Sequence, residues 1–380
     1  MFNDYVAVLD VGSNKITYSI GKNGVNGTFS FLARKTADYN AFYSKEFSDI
    51  HELEKVVAGL NNDIIAENGL SGINKIYVGV PNEFVKIQSK NYRISFTREK
   101  RITAGDVITL FDLGYERADS EHTLINRAAV YYAVDGNKTH DPIGLKGQSL
   151  AGRLCYISIS DYYKDVFDRI LKKAGIGDVN YISSSYAESV YLFDGALKEE
   201  CRILVDVGYT TTDVTVSAGD GVLFGGSIPL GGGIITAYLS DKLECDFFVA
   251  EDLKRKLNLG IINGAGRTYS VFMDGGDKQF FDVDVANDTA KTVLDEIADK
   301  IEKVISLCTL KIPSDVDVYF TGGGINLIRG AVEYTAGRLG VFPKTVAPEL
   351  PHLKSGVYTS EISLLSLALR LKKDKVFFTE

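Results

Sequence analysis

The stretch Ala7-Val8-Leu9-Asp10-Val11-Gly12 is matched far along the chain by Ile203-Leu204-Val205-Asp206-Val207-Gly208, and both copies continue into a second apolar strand. In each copy an apolar strand leads into an aspartate and then into a glycine turn. Such a strand end can present a carboxylate together with free backbone N–H groups, a combination that holds phosphate and a divalent metal ion. The repeat therefore predicts two facing halves that grip one nucleotide.

Composition limits the classes to which the chain can belong. With 380 residues, 45% hydrophobic and 11% aromatic, it can bury two substantial cores in two or three domains. Its net charge is −8, and it has no long block of Lys or Arg. Neutralising nucleic-acid phosphates requires a concentrated basic face, so the composition argues against nucleic acid as the main partner.

The cysteines and the N-terminus exclude further classes. The four cysteines (Cys155, Cys201, Cys245 and Cys308) lie far apart without Cys-x-x-Cys spacing, and the four histidines are equally scattered. These spacings predict a reduced protein without a Cys or His metal site. The first residues lack a basic segment, and no apolar run approaches the roughly 20 residues of a transmembrane helix. We therefore expect a cytosolic protein that is neither secreted nor membrane-spanning.

Strand-like and helix-like periods predict the elements of the first half. The expected strands are 5–11, 15–21, 28–35 and 75–80, with a helix at 51–68. From Pro81 the pattern changes to that of a small α+β insertion, with strands at 83–87, 92–96, 127–134 and 153–159 and a helix at 104–112 that Thr103 caps.

The second half repeats the strand-rich opening of the first. After a helix at 161–174 that ends at Gly175, we expect strands at 202–207, 211–217 and 222–228, helices at 234–242, 247–257 and 287–309, a last strand at 316–320 and a closing helix at 360–372. The long helix carries one apolar stripe, which predicts a core position for Val293, Ile297, Ile301 and Val304.

Three glycine-bearing turns stand at predicted strand ends, at 10–17, 206–213 and 321–326. Ordinary tight turns explain any one of them. Together they fit a nucleotide cleft, because glycine lets the backbone approach a ligand and successive N–H groups bind anions. The Gly231-Gly232-Gly233 turn precedes a helix expected near Ile234, whose N-terminus adds a further anion site.

These turns match a known superfamily. The chain resembles the actin/Hsp70/hexokinase ATPases in its phosphate-1 turn (10–15), its phosphate-2 turn (206–213) and its adenosine turn (321–324). Within that superfamily it resembles the FtsA family of bacterial cell-division proteins, because the insertion segments 98–107, 132–136 and 141–150 look like signatures of the FtsA-specific subdomain. Asp141-Pro142-Ile143-Gly144-Leu145 is the most specific of these, and the resemblance covers nearly the whole chain.

The resemblance implies a fold and a domain organisation. It implies an α/β fold with two actin-like (RNase H-like) lobes around a nucleotide cleft and an FtsA-type α+β insertion in the first lobe. The implied subdomains are 1A (1–80, 161–198 and the C-terminal return 351–380), the insertion 1C (81–160), 2A (199–240 and 310–350) and 2B (241–309).

The resemblance also implies a site for ATP and Mg²⁺. Asp10 and Asp206 would hold the metal ion, largely through waters, because Mg²⁺ gives up its hydration shell reluctantly. The residues implied for binding the phosphates are Gly12, Ser13, Asn14, Lys15, Gly208, Tyr209, Thr210, Thr211, Gly232 and Gly233. Those implied for the nucleoside are Glu251 and Lys254 of an Ala-Glu-x-x-Lys element, with Gly323, Gly324 and Asn326 closing over the adenosine. The alternative for Glu251 and Lys254 is an exposed ion pair.

Hydrolysis is a separate question from binding. Many actin-like ATPases place a glutamate in a Glu-Pro-x-Ala element, where it orients the attacking water. The matching stretch here is Ser184-Ser185-Tyr186-Ala187, so the glutamate and the proline are both absent. Glu188 could compensate, which would make Asp10, Asp206 and Glu188 the catalytic residues; the alternative is an outward-facing helical glutamate. Because Tyr209 also replaces a glycine usual in the phosphate-2 turn, we expect ATP binding with slow or absent turnover.

FtsA-like proteins polymerise into protofilaments and tether the FtsZ ring to the inner membrane. The resemblance therefore implies self-association, docking of the FtsZ C-terminal tail on subdomain 2B, and contacts of other division proteins with the insertion. It implies a location at the inner face of the cell membrane at the division site.

The largest departure from the family lies at the C-terminus. FtsA usually carries a flexible linker and then an amphipathic membrane helix, whereas this sequence stops at Glu380, close after the closing helix. One interpretation is a short membrane foot made by a basic-aromatic tail: Arg370, Lys372, Lys373, Lys375, Val376, Phe377 and Phe378. The other is a solvated tail behind a packed helix, with the anchor removed or membrane attachment supplied by another protein.

Two other functions are compatible with parts of the pattern. A small-molecule kinase of the same superfamily would need a catalytic aspartate beside a substrate pocket, and the insertion displaces the region where such pockets are usually built. A pilus-assembly adaptor of the PilM type shares the actin core and a related insertion, and it binds a peptide.

Overall fold

The computed structural model describes residues 5–24, 28–39, 42–43, 45–117, 119–261, 266–273 and 276–372. Two compact units divide the chain. The first unit comprises Met1–Cys201, Thr215–Gly225 and Ser360–Glu380, and the second comprises Arg202–Val214 and Gly226–Thr359. The chain therefore passes from one unit to the other after residues 201, 214, 225 and 359.

The first 200 residues alternate strands and helices. The strands are β1 (Tyr5–Val11), β2 (Lys15–Asn23), β3 (Phe29–Asp38), β4 (Phe42–Tyr43), β5 (Glu46–Phe47), β6 (Lys75–Val80), β7 (Val85–Arg101), β8 (His122–Val134), β9 (Asn137–Thr139), β10 (Lys146–Ser160) and β11 (Asp178–Ser183). The helices are α1 (Ile50–Asn68), α2 (Ala104–Gly114), α3 (Asp161–Lys173) and α4 (Ser184–Leu192), with short 3₁₀ turns at Asn82–Phe84 and Gly195–Glu199.

The remainder follows the same alternation. Its strands are β12 (Arg202–Val207), β13 (Thr212–Ala218), β14 (Gly221–Ile228), β15 (Thr268–Phe272), β16 (Lys278–Asp282), β17 (Asp317–Thr321) and β18 (Lys344–Thr345). Its helices are α5 (Gly232–Lys242), α6 (Phe247–Lys254), α7 (Val283–Ser306), α8 (Gly323–Asn326), α9 (Ala331–Arg338) and α10 (Thr359–Leu371), with a 3₁₀ turn at Gly356–Tyr358.

The central sheet of the first unit has the strand order β11-β6-β1-β2-β3. Strands β11, β6 and β1 are parallel, so their carboxyl ends meet at one edge of the sheet. Side chains of β1 alternate between two buried clusters: Ala7 and Leu9 pack with α1 and α3, whereas Val6 and Val8 pack with α4 and α10. The sheet is therefore covered on both faces, and Asp10 stands at its carboxyl edge.

The predicted insertion contains a sheet of its own, with the order β7-β10-β8-β9. Helix α2 covers this sheet and buries Val107, Leu110 and Phe111 in one cluster with β10 residues. The expectation of two strands at 83–87 and 92–96 is wrong, because β7 is continuous. Strand β10 pairs with β7 from Val85 to Arg101, interrupted only by a shift between Gly147 and Ser149, and this ladder holds the polar middle of β7 extended.

In the second part of the chain, β12 runs parallel to β17, and β17 parallel to β18, in a sheet of order β14-β13-β12-β17-β18. The expectation that 316–320 is the last strand is wrong, since β18 follows it. Helix α7 buries Val293, Ile297 and Ile301, as its stripe predicts, while Val304 is only half-buried. No helix in the described ranges combines the length and apolar character needed to cross a membrane.

Candidate functional site

The two repeated turns have the same backbone geometry. The Gly12 N–H donates to the Lys15 carbonyl at 3.0 Å, and the Gly208 N–H donates to the Thr211 carbonyl at 2.8 Å. A Cβ at Gly12 would lie 3.0 Å from the Lys15 oxygen, and one at Gly208 would lie 3.1 Å from the Thr211 oxygen. The sequence repeat is thus a structural repeat. The expectation of free N–H groups is wrong for these two glycines, because both donate within their own turns.

Asp10 lies at the end of β1, where Ser360 of α10 donates a hydrogen bond to its Oδ1 at 2.8 Å. Burial is the largest influence on this carboxyl and raises its pKa to about 6, although the hydrogen bond from Ser360 acts in the opposite direction. The charge of Glu361 raises the pKa further, whereas Lys15 and Arg34 lower it. A nearby cation would favour the charged form of this carboxylate.

The rest of the first turn lies beside Asp10 in the chain. Ser13 is buried, while Asn14 and Lys15 are half-buried. The Asn14 carbonyl accepts a hydrogen bond from the Tyr39 N–H at 3.1 Å, which ties the turn to the end of β3.

The second turn is tied to the N-terminus of α5. The Gly232 N–H donates to the Gly208 carbonyl at 2.9 Å, and the Gly233 N–H donates to the Tyr209 carbonyl at 2.7 Å. These two donors belong to the group that a helix N-terminus leaves unsatisfied. Both N–H groups donate within the protein in this structure, and binding of an anion at this helix N-terminus stays a prediction.

The turn at 321–324 packs against the turn at 206–208. Gly322 has φ +92, and a Cβ there would collide with Oδ1 of Asp206 and with the Val207 carbonyl. A Cβ at Gly324 would collide with the Gly208 carbonyl. Asn326 closes the turn on itself, since its side-chain amide donates to the Gly322 carbonyl at 3.0 Å.

Gly323 opens α8 and faces Val357, whose Cγ2 would lie 3.5 Å from an added Cβ. At the end of β17, the Thr321 hydroxyl shares a hydrogen bond of 2.7 Å with the Thr359 hydroxyl. The turns at 206–211, 231–233 and 322–326 therefore meet within the second unit.

Glu251 and Lys254 point into the protein. Lys254 is 2% exposed and donates to Glu251 Oε2 at 2.6 Å, to Thr236 Oγ1 at 2.8 Å and to the Gly232 carbonyl at 3.1 Å. Thr236 also donates to Glu251 Oε2, at 2.5 Å. The alternative of an exposed ion pair is wrong. All three ammonium protons of Lys254 are used to hold α6 against the start of α5.

Burial acts on both members of this pair. It lowers the pKa of Lys254, against the opposing effect of Glu251. At Glu251 burial raises the pKa, but hydrogen bonds from Lys254 and Thr236 outweigh it, so the net pKa is lowered. The hydrogen bonds thus favour the charged form of Glu251, whereas burial disfavours the charged form of Lys254.

Tyr209 lies against the same cluster. A Cβ at Gly233 would come within 2.9 Å of the Tyr209 ring, and Lys254 Nζ lies 5.4 Å from the ring centroid. The ring thus packs on α5 and on the buried cation. Thr210 and Thr211, which follow Tyr209, are half-buried, and so is Asp206 at the start of the turn.

Glu188 is 3% exposed on α4, so the alternative of an outward-facing glutamate is wrong. Helix α4 begins where β11 ends, with Ser183 as its N-cap and Ser184 as its first residue. The Ser185 hydroxyl donates to Asn82 Oδ1 at 3.2 Å. Since β11 is parallel to β6 and β6 to β1, the Ser184 segment lies at the same sheet edge as Asp10.

Sequence reasoning missed three polar residues at these turns: Thr236, Thr359 and Ser360. A hydroxyl residue at the start of a helix is read as a cap, and nothing in its spacing identifies a distant partner. Each aspartate stands at the end of its own strand and is followed by a turn with hydroxyl side chains, and oxygen donors of this kind suit hydrated Mg²⁺. Across the described ranges, no cluster of three or more His, Cys, Asp or Glu side chains could hold a metal ion.

Comparison with curated proteins finds cell division proteins FtsA, and no family model matches the chain. FtsA of Pseudomonas aeruginosa is 20% identical over 385 residues, which cover 96% of this chain and 89% of that protein. FtsA of Neisseria meningitidis serogroup B is 20% identical over 97% of this chain and 91% of its own length. FtsA of Helicobacter pylori J99 is 21% identical over 67% of this chain, and the match spans 56% of that protein. The predicted resemblance to FtsA is confirmed.

Solved structures share the fold. A chain of the PilM-PilN type IV pilus biogenesis complex has a TM-score of 0.62 at 14% identity, covering 96% of this chain and 98% of its own. MreB5 of Spiroplasma citri bound to AMPPNP has a TM-score of 0.58 at 10% identity, covering 98% and 97%. EutJ of Carboxydothermus hydrogenoformans has a TM-score of 0.55 at 13% identity, covering 97% and 90%. The chain has the actin-like ATPase fold, as the sequence predicts.

Proposed function

We propose that the protein is an ATP-binding, filament-forming actin-like protein that links the FtsZ ring to the membrane during bacterial cell division. The observation that carries this proposal is the likeness to Pseudomonas FtsA along 96% of this chain and 89% of that protein. Its site of action would be the inner face of the cell membrane at the division site.

The nucleotide is the first part of the proposal. Asp10 and Asp206 would hold hydrated Mg²⁺, and the turns that follow them would receive the phosphates of ATP. The carboxylate at the end of each strand supports this assignment, as does the fold shared with MreB5, which was solved bound to AMPPNP and to ADP. Bound Mg²⁺ would neutralise charge on the phosphates.

Turnover would be slow or absent. Ser184 and Ser185 stand where the resemblance implies a water-orienting glutamate and a proline, and Glu188 is buried on α4. Release of phosphate at the rate of a metabolic kinase would contradict this part of the proposal.

The FtsZ C-terminal tail would dock on subdomain 2B. An exposed aromatic surface in that region supports this: Phe272 and Phe280 are each 62% exposed on the β15–β16 hairpin, and Phe248 of α6 is 86% exposed. Ser270 is the register partner of Phe280, so these two side chains share a face of the hairpin. Phe272 is two residues after Ser270 on the same strand and therefore lies on that face as well. Other division proteins would contact the insertion, and copies of the chain would assemble into protofilaments.

A peptide pull-down tests the partner. We expect the full chain to retain an FtsZ C-terminal peptide and not a pilus-protein N-terminal peptide. The double variant F272S/F280S should lose the FtsZ peptide, because burial of each phenylalanine contributes about 2 kcal/mol. The matched control is F342S, since Phe342 is equally apolar and 84% exposed but lies outside 2B. Retention of the pilus peptide alone would overturn the assignment.

A second function is favoured by one observation. The likeness to a chain of the PilM-PilN complex, at a TM-score of 0.62, supports a pilus-assembly adaptor that binds a peptide. The same pull-down distinguishes it from the division protein.

Membrane attachment would be indirect or would use a short C-terminal foot. Residues 373–380, which carry most of the basic-aromatic tail, lie outside the described residues. Liposome flotation with and without residues 372–380 separates the two cases, and unchanged lipid binding after the deletion excludes the foot.

A further inference from the structure

We propose that Ser360 is a positioning residue for Asp10, whose hydroxyl orients the Asp10 carboxylate toward the magnesium ion of a bound nucleotide. This inference rests on the proposed function, because it takes Asp10 as a residue that holds the metal. Ser360 stands in the first turn of α10, 350 positions from Asp10 in the sequence. No motif of the nucleotide turns includes it.

The hydrogen bond fixes one oxygen of the carboxylate. Ser360 Oγ donates to Asp10 Oδ1 at 2.8 Å. Among the described residues, no other side chain or N–H donates to this carboxylate, so Oδ2 is the oxygen that remains for a water of the Mg²⁺ shell. Without the hydroxyl, the carboxylate could rotate about its Cβ–Cγ bond, and its orientation would have to be fixed at the moment of binding.

The turn that carries Ser360 is itself anchored. The next residue, Glu361, is 3% exposed, and both of its carboxylate oxygens accept from Arg34 Nε, at 2.8 and 2.9 Å. The Ser19 hydroxyl also donates to Glu361. Charge-assisted bonds of this kind are stronger than neutral ones. They prevent the first turn of α10 from sliding along the sheet.

The sheet register explains why this anchor lies beside Asp10. Ser19 of β2 is paired directly with Arg34 of β3 on one side and with Val8 of β1 on the other. Val8 and Asp10 are two residues apart on β1, so their side chains emerge on the same face of the sheet. That is the face on which α10 packs, since Val8 shares a buried cluster with Leu364 and Leu365. Glu361 therefore fixes the helix, and Ser360 reaches the carboxylate at the strand end.

The test measures AMPPNP binding by calorimetry as a function of Mg²⁺ concentration. In S360A we expect the Mg²⁺ concentration that gives half-maximal binding to rise about tenfold, the effect of one charge-assisted hydrogen bond. The affinity for AMPPNP at saturating Mg²⁺ and the melting temperature should stay close to those of the wild type. The conservative variant S360T keeps the hydroxyl and should restore the wild-type midpoint.

The matched control is S363A. Ser363 is fully buried in the same helix, and its hydroxyl has no hydrogen-bond partner among the described residues. Its removal should leave the Mg²⁺ midpoint unchanged.

The possible failures can be told apart. If the wild type binds no AMPPNP at any Mg²⁺ concentration, the proposed function is overturned, and this inference with it. If the wild type binds and D10N does not, but S360A keeps the wild-type midpoint, only the positioning role is overturned. If S360A instead loses affinity at saturating Mg²⁺ together with melting temperature, Ser360 is structural and the inference is also overturned.

Discussion

At the scale of single residues, the buried lysine of the candidate site carries the sharpest expectation for stability. Replacing Lys254 by Met removes three hydrogen bonds and leaves the Glu251 carboxylate without its main partner. Breaking a buried ion pair from one side costs about 3 kcal/mol. We therefore expect K254M to lower the free energy of unfolding by about 3 kcal/mol in urea titrations.

Two further variants isolate the cause of that loss. In E251Q/K254M no buried charge is left unpaired, since the remaining partner of Glu251 is the exposed Arg255, so the double variant should be more stable than the sum of its single changes predicts. K256M is the control, because the exposed Lys256 side chain bonds the Ser270 carbonyl and no other atom of the described residues, and its replacement should cost less than about 1 kcal/mol. Additive effects of E251Q and K254M would contradict the coupled network.

At the scale of elements, local periodicity was sufficient to predict the bounds of strands that are long and apolar. The bounds of β1, β6 and β12 agree with the expected strands, because alternation and flanking turns are encoded within each segment. Two-residue strands such as β18 carry no period. The continuity of β7 could not be predicted either, since its ladder partner β10 lies more than 40 residues further along the chain.

The features of the candidate site also fall into those that the sequence could predict and those that it could not. The aspartates and glycines of the two turns could be found because each turn is a contiguous motif. The hydrogen bond between Ser360 and Asp10, and the use of the Gly232 N–H by Gly208, depend on packing between segments that are distant in sequence. No local pattern encodes them.

Helix α2 gives a prediction at this scale. Thr103 and Asp106 form a capping box, in which Thr103 Oγ1 accepts from the Asp106 N–H at 3.3 Å and Asp106 Oδ2 accepts from the Thr103 N–H at 2.8 Å. We expect T103A to lower the free energy of unfolding by about 1 kcal/mol. T109A, an exposed hydroxyl on the same helix that bonds the Gly105 carbonyl, should be nearly neutral.

The stability that Asp106 contributes through this cap should depend on pH. Burial raises the pKa of Asp106, but hydrogen bonds from Lys100 and Thr103 outweigh it, so the pKa lies below its usual range in the folded protein. A carboxyl with a depressed folded pKa contributes stability above its unfolded pKa, and that contribution is lost as the pH falls through the folded value. The cost of D106N should therefore be larger near pH 7 than at about pH 3, which lies below the usual pKa of an unfolded aspartate. An equal cost at both pH values would contradict the pKa argument.

At the scale of the whole molecule, the two units are not consecutive segments of the chain. The first unit is completed only by residues from 215–225 and by α10, which follows the entire second unit in sequence. Helix α10 contributes Leu364, Leu365, Leu367 and Leu369 to the cluster that covers one face of the central sheet. Helix α4 covers only part of this face, so the N-terminal sheet cannot complete its cover until the last helix has been made.

This arrangement predicts opposite results for two C-terminal truncations. Ending the chain after Tyr358 removes four buried leucines, each worth about 2 kcal/mol, from a fold whose total stability is of the order of 5–15 kcal/mol. We expect that truncation to be insoluble or to melt well below the full chain in a thermal scan. Ending the chain after Lys372 keeps α10 complete and should leave the melting temperature unchanged. A cooperative, wild-type melting transition after removal of α10 would mean that the sheet is stable without this helix. It would contradict the packing of α10 that places Ser360 beside Asp10.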